Sequence, residues 1–306
     1  TDANRSSPGR ALIRTLYDNF LLKGPHGVHV CLVYYPQREA PPGSGGRSFS
    51  TFPILMVYYK ALLTGLRYLH HDCHVIHTAD LKLSNTLFTM EGPKTLLLLN
   101  YETYALENPS ARKILPDCEI YASDSDFGGW VKREAPLPVV SDFGNAVRSD
   151  QGVCGHFIQP DPFRAPEISF GMIWSYSVDI WNLRGVLMFE CLCMKSHISG
   201  LDSKGNFNIF VQMAQIIHLL GPPPVELINR IHPECSSMYF DENGELLMVD
   251  KCTFEVVFST IPDSQQKEFF IAFLKRMLRW LPEERASIDE LLADPWMSFV
   301  QASRNR

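Results

Sequence analysis

Little in this chain would hold a metal cluster or a disulfide framework. Its eight cysteines, Cys31, Cys73, Cys118, Cys154, Cys191, Cys193, Cys235 and Cys252, are scattered, with no C-x-x-C pair and no His-x-His spacing beside them. They read as reduced, mostly buried small hydrophobes of a cytosolic or nuclear protein. Long apolar runs are missing too: the stretch Gly185 to Met194 contains Glu190 and is about half the length that a bilayer crossing needs. The polar start Thr1-Asp2-Ala3-Asn4-Arg5 does not resemble a signal peptide, so secretion and membrane spanning are disfavoured. Nor is there an excess of positive charge. Lys+Arg 28 against Asp+Glu 34 gives a formal charge of -6, which argues against a general nucleic-acid-binding surface and leaves a basic peptide partner electrostatically open. No internal repeat of solenoid period is present.

What is present is ordinary globular material. Hydrophobic residues at 45%, charged residues at 20% and a mean hydropathy of -0.07 exclude global disorder, collagen-like repeats and coiled coil. A length of 306 residues suits one large domain or two modest lobes.

Residues 11–20 and 28–35, joined by Gly24-Pro25-His26-Gly27, predict an antiparallel strand pair. Pro41-Pro42-Gly43-Ser44-Gly45-Gly46 has the composition of a flexible connector, placing a lobe boundary there. From Phe52 the apolar residues Leu55, Tyr59, Leu62, Leu63, Leu66 and Leu69 recur at steps of three and four, predicting a buried helix face that ends near His70-His71-Asp72. Residues 89–138 lose this pattern and read as a surface insertion with short elements. Helical spacing returns at 177–194, 208–220 and 265–281, so the second half is mainly helical. The tryptophans Trp174, Trp181, Trp280 and Trp296 are expected to pack this part.

The chemistry concentrates in His77-Thr78-Ala79-Asp80-Leu81-Lys82-Leu83-Ser84-Asn85. On a helix, Asp80, Lys82 and Asn85 would point to different sides, so cooperation requires a loop folded round one spot. Phosphoryl transfer needs such a spot: a carboxylate to accept the hydroxyl proton, an ammonium to offset phosphoryl charge, and an amide oxygen for Mg²⁺. A polar loop of chance spacing would carry the same local text. A second carboxylate changes the balance, because Pro138-Val139-Val140-Ser141-Asp142-Phe143-Gly144 puts Asp142 just after a short apolar strand, in position to chelate Mg²⁺. The similar Asp126-Phe127-Gly128 follows a poor buried strand and reads as a turn. Downstream, Glu167 of Phe163-Arg164-Ala165-Pro166-Glu167 and Arg285 of Leu281-Pro282-Glu283-Glu284-Arg285 offer an acid and an arginine for one buried pair. Two solvated helix ends are the bland alternative.

Taken in order with Ser177-Val178-Asp179-Ile180-Trp181, these motifs make the chain resemble the eukaryotic protein kinases. It is most similar to the SR-protein kinase family and its divergent fungal members, over about residues 12–297. The text carrying the closer match is Gly24 to Val33, His74 to Thr78 and Ile158 to Glu167. The resemblance implies an α+β kinase-like fold, with residues 1–36 a remnant of the small β lobe and hinge and residues 37–306 the mainly helical C-terminal lobe. It implies Asp80 as catalytic base, Lys82 as phosphate-facing lysine, and Asn85 and Asp142 as Mg²⁺ ligands. Glu167 with Arg285 would be a structural ion pair, Asp179 the anchor beneath the catalytic loop, and the hinge from Tyr34 and Tyr35 to Gln37 the adenine contact.

Two features depart from that pattern. No G-x-G-x-x-G precedes the hinge, and the only lysine there, Lys23, lies at a turn; the 306 residues alone are therefore expected to turn over slowly. Single extra residues also stand in His77-Thr78-Ala79-Asp80 (for H-x-D) and in Asp179 to Gly185 (for D-x-W-x-x-G). One extra helical residue rotates the side chains beyond it by about 100° unless a π-bulge absorbs it. The expected activity is ATP- and Mg²⁺-dependent transfer to protein serine or threonine by a monomer, with acidic residues Asp202, Glu226, Asp241, Glu242 and Glu245 as candidates to hold Arg/Ser-rich substrates. The alternative is a pseudokinase or truncated homologue that serves as a non-catalytic binding module.

Overall fold

The computed structural model describes residues 4–38, 52–77, 81, 85–89, 103–122, 136–151, 155–185, 198–232, 254, 258 and 264–298. The hairpin forms with β1 at Leu16–Gly24 and β2 at Gly27–Tyr34, antiparallel, with Phe20 opposite Cys31 and Leu22 opposite His29. Gly27 turns the chain at φ 137°, a value only glycine adopts freely. The first strand starts later than residue 11, because Pro8–Leu12 is a 3₁₀ turn. Proline sets φ for that turn, and the buried Leu12 packs on the first long helix.

That helix, α1, is Phe52–Arg67. It buries Leu55, Met56, Tyr59, Leu62, Leu63 and Leu66, the face its spacing predicts. A π-turn, Tyr68–Asp72, follows and is closed by the Cys73 amide donating to the Tyr68 carbonyl at 3.1 Å. His74 then takes φ 54° and leads into β3, Val75–Ile76. Next come β4, Thr86–Phe88, then β5, Arg112–Ile114, and β6, Glu119–Tyr121. Within residues 89–138, β5 and β6 pair as an exposed hairpin. Further on lie β7, Pro138–Val140, and β8, Val147–Arg148. β4 pairs with β7 and β3 with β8, both antiparallel.

The remaining helices are α2 (Pro166–Ser169), α3 (Ser177–Gly185), α4 (Ile209–Leu220), α5 (Val225–Ile228), α6 (Gln265–Met277) and α7 (Ile288–Leu292). Their starts have chemical causes: the Asn208 side chain accepts from the Phe210 amide at 2.9 Å, and Ser287 with Glu290 forms a capping box that satisfies otherwise orphaned amides. Helix α6 stops at Met277, four residues before its apolar spacing suggests. There Leu278, Trp280 and Leu281 turn into the core, and Trp280 Nε1 donates to the Gly221 carbonyl at 3.0 Å. Trp296, fully buried, is ringed by Tyr59, Phe270 and Phe273 at centroid distances of 6.3, 5.2 and 4.8 Å. The Tyr59 hydroxyl donates to Met277 sulfur at 3.2 Å. Cys31 and Cys73 are half-buried and Cys118 is exposed, so none of these three is the buried small hydrophobe expected from the sequence.

The 3₁₀ turn meets α1 so closely that a Cβ on Gly9 would stand 2.3 Å from the Thr64 carbonyl oxygen and 2.6 Å from Tyr68 Cβ. Gly9→Ala should therefore destabilise the protein by ~1–3 kcal/mol, the usual range for overpacking. A denaturant midpoint unchanged by the substitution would contradict this contact.

Candidate active site

The floor of the site is a ladder of short strands. Beyond β2, the Arg38 amide donates to the Phe88 carbonyl at 3.0 Å and the Phe88 amide returns a bond to Arg38 at 2.8 Å, so the hinge segment is stitched to β4. Tyr34 ends β2 under the Arg14 guanidinium, which lies 4.1 Å from its ring centre. Tyr35 is exposed and meets Tyr17 edge-on at 4.7 Å. The Gln37 side-chain oxygen is buried without a hydrogen-bond partner among the described residues. On the far side of β4, buried β7 runs to Ser141, whose amide and hydroxyl both donate to the Asn85 carbonyl, at 3.0 and 2.7 Å. Asn85 and Asp142 are thereby held at adjacent ends of one ladder although 57 positions separate them (142 - 85 = 57). Asp142 adopts φ 62°, a left-handed conformation that Asp tolerates better than most residues. Its exposed carboxylate receives only the Gly144 amide, at 3.4 Å, among the described residues.

Beneath this ladder stands Asp179, fully buried at the first turn of α3. Its Oδ2 accepts from the His77 amide and from His70 Nε2, each at 2.8 Å. The other end of His77 reaches the strand ladder: its Nε2 lies 2.9 Å from the Ser141 carbonyl. A carbonyl only accepts, so Nε2 is the donor in this bond. The segment between β3 and β4 is consequently pinned at His77 and at Asn85. Asp80 and Lys82 lie between these pins and outside the described residues, as does the rejected Asp126-Phe127-Gly128; Leu81, between Asp80 and Lys82, is buried. Because His77 is in contact with both Asp179 and Ser141, the extra residue of His77-Thr78-Ala79-Asp80 follows the histidine.

The structure also brings Glu167 and Arg285 together. Arg285 Nη1 and Nη2 each donate to a Glu167 oxygen at 2.6 Å, with both side chains removed from solvent. Arg285 further donates to the carbonyls of Ser177 at 3.1 Å and Arg279 at 3.2 Å. This forked geometry is what a buried carboxylate requires to offset its desolvation.

Residues 132–297 match the protein kinase domain family. The chain belongs to the protein kinase family. Similar proteins include a serine/threonine protein kinase of Aspergillus fumigatus, 33% identical over 303 residues that cover 95% of this chain and 70% of that one. The serine/threonine-protein kinase SRPK of Physarum polycephalum is 27% identical over 320 residues, covering 93% and 71%. Protein kinase dsk1 of Schizosaccharomyces pombe is 24% identical over 392 residues, covering 95% and 70%. This protein kinase is therefore related to the SR-protein kinases.

Sequence reasoning missed two side chains that organise the candidate site. His70 looked like one of several histidines at a helix end, yet the π-turn aims it at Asp179; no local signal marks it apart from His71. Gln159, at φ 69°, spans two segments: its Nε2 donates to the Val178 carbonyl at 3.0 Å and its Oε1 accepts from the Ala165 amide at 2.7 Å. Within Ser177–Gly185, the described part of this helix, no bulge absorbs the extra residue; Arg184 is instead turned into the interior. Among the acidic candidates, Asp202 holds a turn by accepting from the Lys204 and Asn206 amides at 2.8 and 2.9 Å. Glu226 is engaged by Arg230, which also reaches Glu283 at 2.6 Å. Asp241, Glu242 and Glu245 lie outside the described residues.

Removing the Glu167 carboxylate leaves buried guanidinium charge with no counter-ion. Glu167→Ala should cost ~3–5 kcal/mol of stability, read as a fall in the urea midpoint; a loss below 1 kcal/mol, the scale of an exposed pair, would contradict the burial of this pair.

Proposed function

We propose that this kinase transfers the γ-phosphoryl group of ATP to serine or threonine hydroxyls of Arg/Ser-rich protein segments. The observation that carries the reading is the joint fixing of Asn85 and Asp142 through Ser141. Both residues offer hard oxygen donors, and the exposed Asp142 carboxylate has lone pairs free of strong hydrogen bonds among the described residues, which suits Mg²⁺. When bound there, Mg²⁺ would neutralise phosphate charge. In this reading Asp80 orients the substrate hydroxyl and takes its proton, while Lys82 offsets charge on the phosphoryl group in flight. The pins at His77 and Asn85 hold the two ends of the segment that carries Asp80 and Lys82, and hinge residues Tyr34 to Gln37 present backbone groups to adenine.

The Arg/Ser preference draws on the SR-protein kinase relationship and the net charge of -6. Of the five acidic candidates, Glu226 already has an arginine partner, so Asp241, Glu242 and Glu245 are the better groups to receive substrate arginines.

Phosphate transfer from ATP and Mg²⁺ to an Arg/Ser-rich peptide tests this directly. The 306-residue chain should phosphorylate serine more slowly than the 1–100 s⁻¹ usual for kinases, and Asp80→Asn and Asp142→Asn should each lower the rate by about 100-fold or more. Transfer that survives both substitutions would remove these residues from the reaction. Neutralising Asp241, Glu242 and Glu245 together should raise the KM for this peptide and flatten its dependence on salt, because exposed charge pairs are screened. An unchanged KM would exclude these three as the substrate site.

A further inference from the structure

Arg184 is fully buried, yet its Nε, Nη1 and Nη2 have no hydrogen-bond partner among the described residues. A guanidinium has five donors and cannot easily shed its charge, so a bare one in the interior is among the least favourable groups a fold can hold. Its neighbour two positions back, Asn182, is also buried with neither side-chain polar atom bonded. Among the described residues, the surroundings of Arg184 nonetheless contain a counter-charge. Its guanidinium lies 4.1 Å from the Trp181 ring centre, and that of Arg285 lies 4.9 Å from the same ring. Arg285 in turn grips both oxygens of Glu167. Burial pushes the Arg184 guanidinium down to about 9, repulsion from Arg285 adds to this, and attraction to Glu167 opposes it; both charges are thus within electrostatic reach.

We propose that Arg184 is a reserve cation for Glu167, so that two arginines compete for one buried carboxylate beside Trp181. In the arrangement seen here Arg285 wins, through its forked bond and its additional bonds to Ser177 and Arg279, and Arg184 is left stacked on the indole. Withdrawal of Arg285 passes Glu167 to Arg184, which is long enough to swing round the ring without leaving the core. The consequence is conformational: α2, which carries Glu167, stays fastened to α3, which carries Arg184, even when the segment bearing Arg285 separates. A kinase with a single arginine at this place would lose both attachments together.

Urea unfolding of the full chain, Arg285→Ala, Arg184→Met and the double variant tests the competition as a cycle. Arg184→Met alone should raise the midpoint, because it removes a bare cation and keeps an apolar stem of similar reach. Arg285→Ala should increase the unfolding constant, and by at least about tenfold more in the Arg184→Met background than in the parent, the size of a coupling between groups that share a partner. Failure of the double variant to fold while Arg285→Ala folds would support the proposal in the same sense. Equal effects of Arg285→Ala in both backgrounds, an Arg285→Ala chain that does not fold with Arg184 present, or a lower midpoint for Arg184→Met would each overturn it.

Discussion

A carboxylate with no access to water must be met by donors or expelled, and the arrangement of this site follows from how Asp179 is met. Among the described residues its Oδ2 is met by the ring of His70 and the backbone of His77, seven positions apart and on opposite sides of a turn. An α-helix continued through residue 72 would keep wrapping its side chains round one axis, and an immediate extended exit would carry His77 away. The π-turn at Tyr68–Asp72 and the left-handed His74 bring both donors to one oxygen. Once His77 is fixed there, its ring can reach the Ser141 carbonyl, and the strand ending in Asp142 is referenced to the same buried charge.

The hinge is tied to this frame by backbone bonds. Arg38 with Phe88, and the Arg14 amide with the Val140 carbonyl at 2.8 Å, join the β1–β2 hairpin to the strand ladder. The hairpin itself exposes apolar residues on both faces, the adjacent Leu21 at 69% and Leu22 at 54% among them. A two-stranded ribbon of that kind has little stability of its own. Most of the free energy of folding therefore comes from the helical core round Trp181 and Trp296, and the hairpin side of the site inherits its geometry from there.

Periodic and terminal signals were the legible part of the chain. The α1 face, the glycine-turned hairpin, the short apolar strand before Asp142 and the Asn208 start of α4 are local patterns, and a local pattern needs no partner to be recognised. The Glu167–Arg285 pair is not local, since 118 positions separate its members; motif order supplied it. What escaped reading depended on tertiary contacts. The first strand loses residues 11–15 because Gly9 and Leu12 find α1, and α6 ends early because Trp280 is more favourably placed against Gly221. His70 and Gln159 carry no mark in the sequence, their roles being set by which buried group they meet. Arg184 was visible only as an extra residue, and its cost appears once the unbroken turn of α3 points it inward.

In the proposed reaction Asn85 and Asp142 form the metal-holding edge of the phosphoryl-transfer site. Crystals of the chain grown with Mn²⁺ and a non-hydrolysable ATP analogue test this most directly, because the anomalous signal of manganese locates the ion without reference to the polypeptide. An anomalous peak is expected at coordinating distance, about 2.1 Å, from an Asp142 oxygen, with Asn85 on its other side and the analogue's adenine against Tyr34 to Gln37. Nucleotide bound with its metal away from Asp142, or an anomalous map empty at this edge while nucleotide density is present, would contradict it.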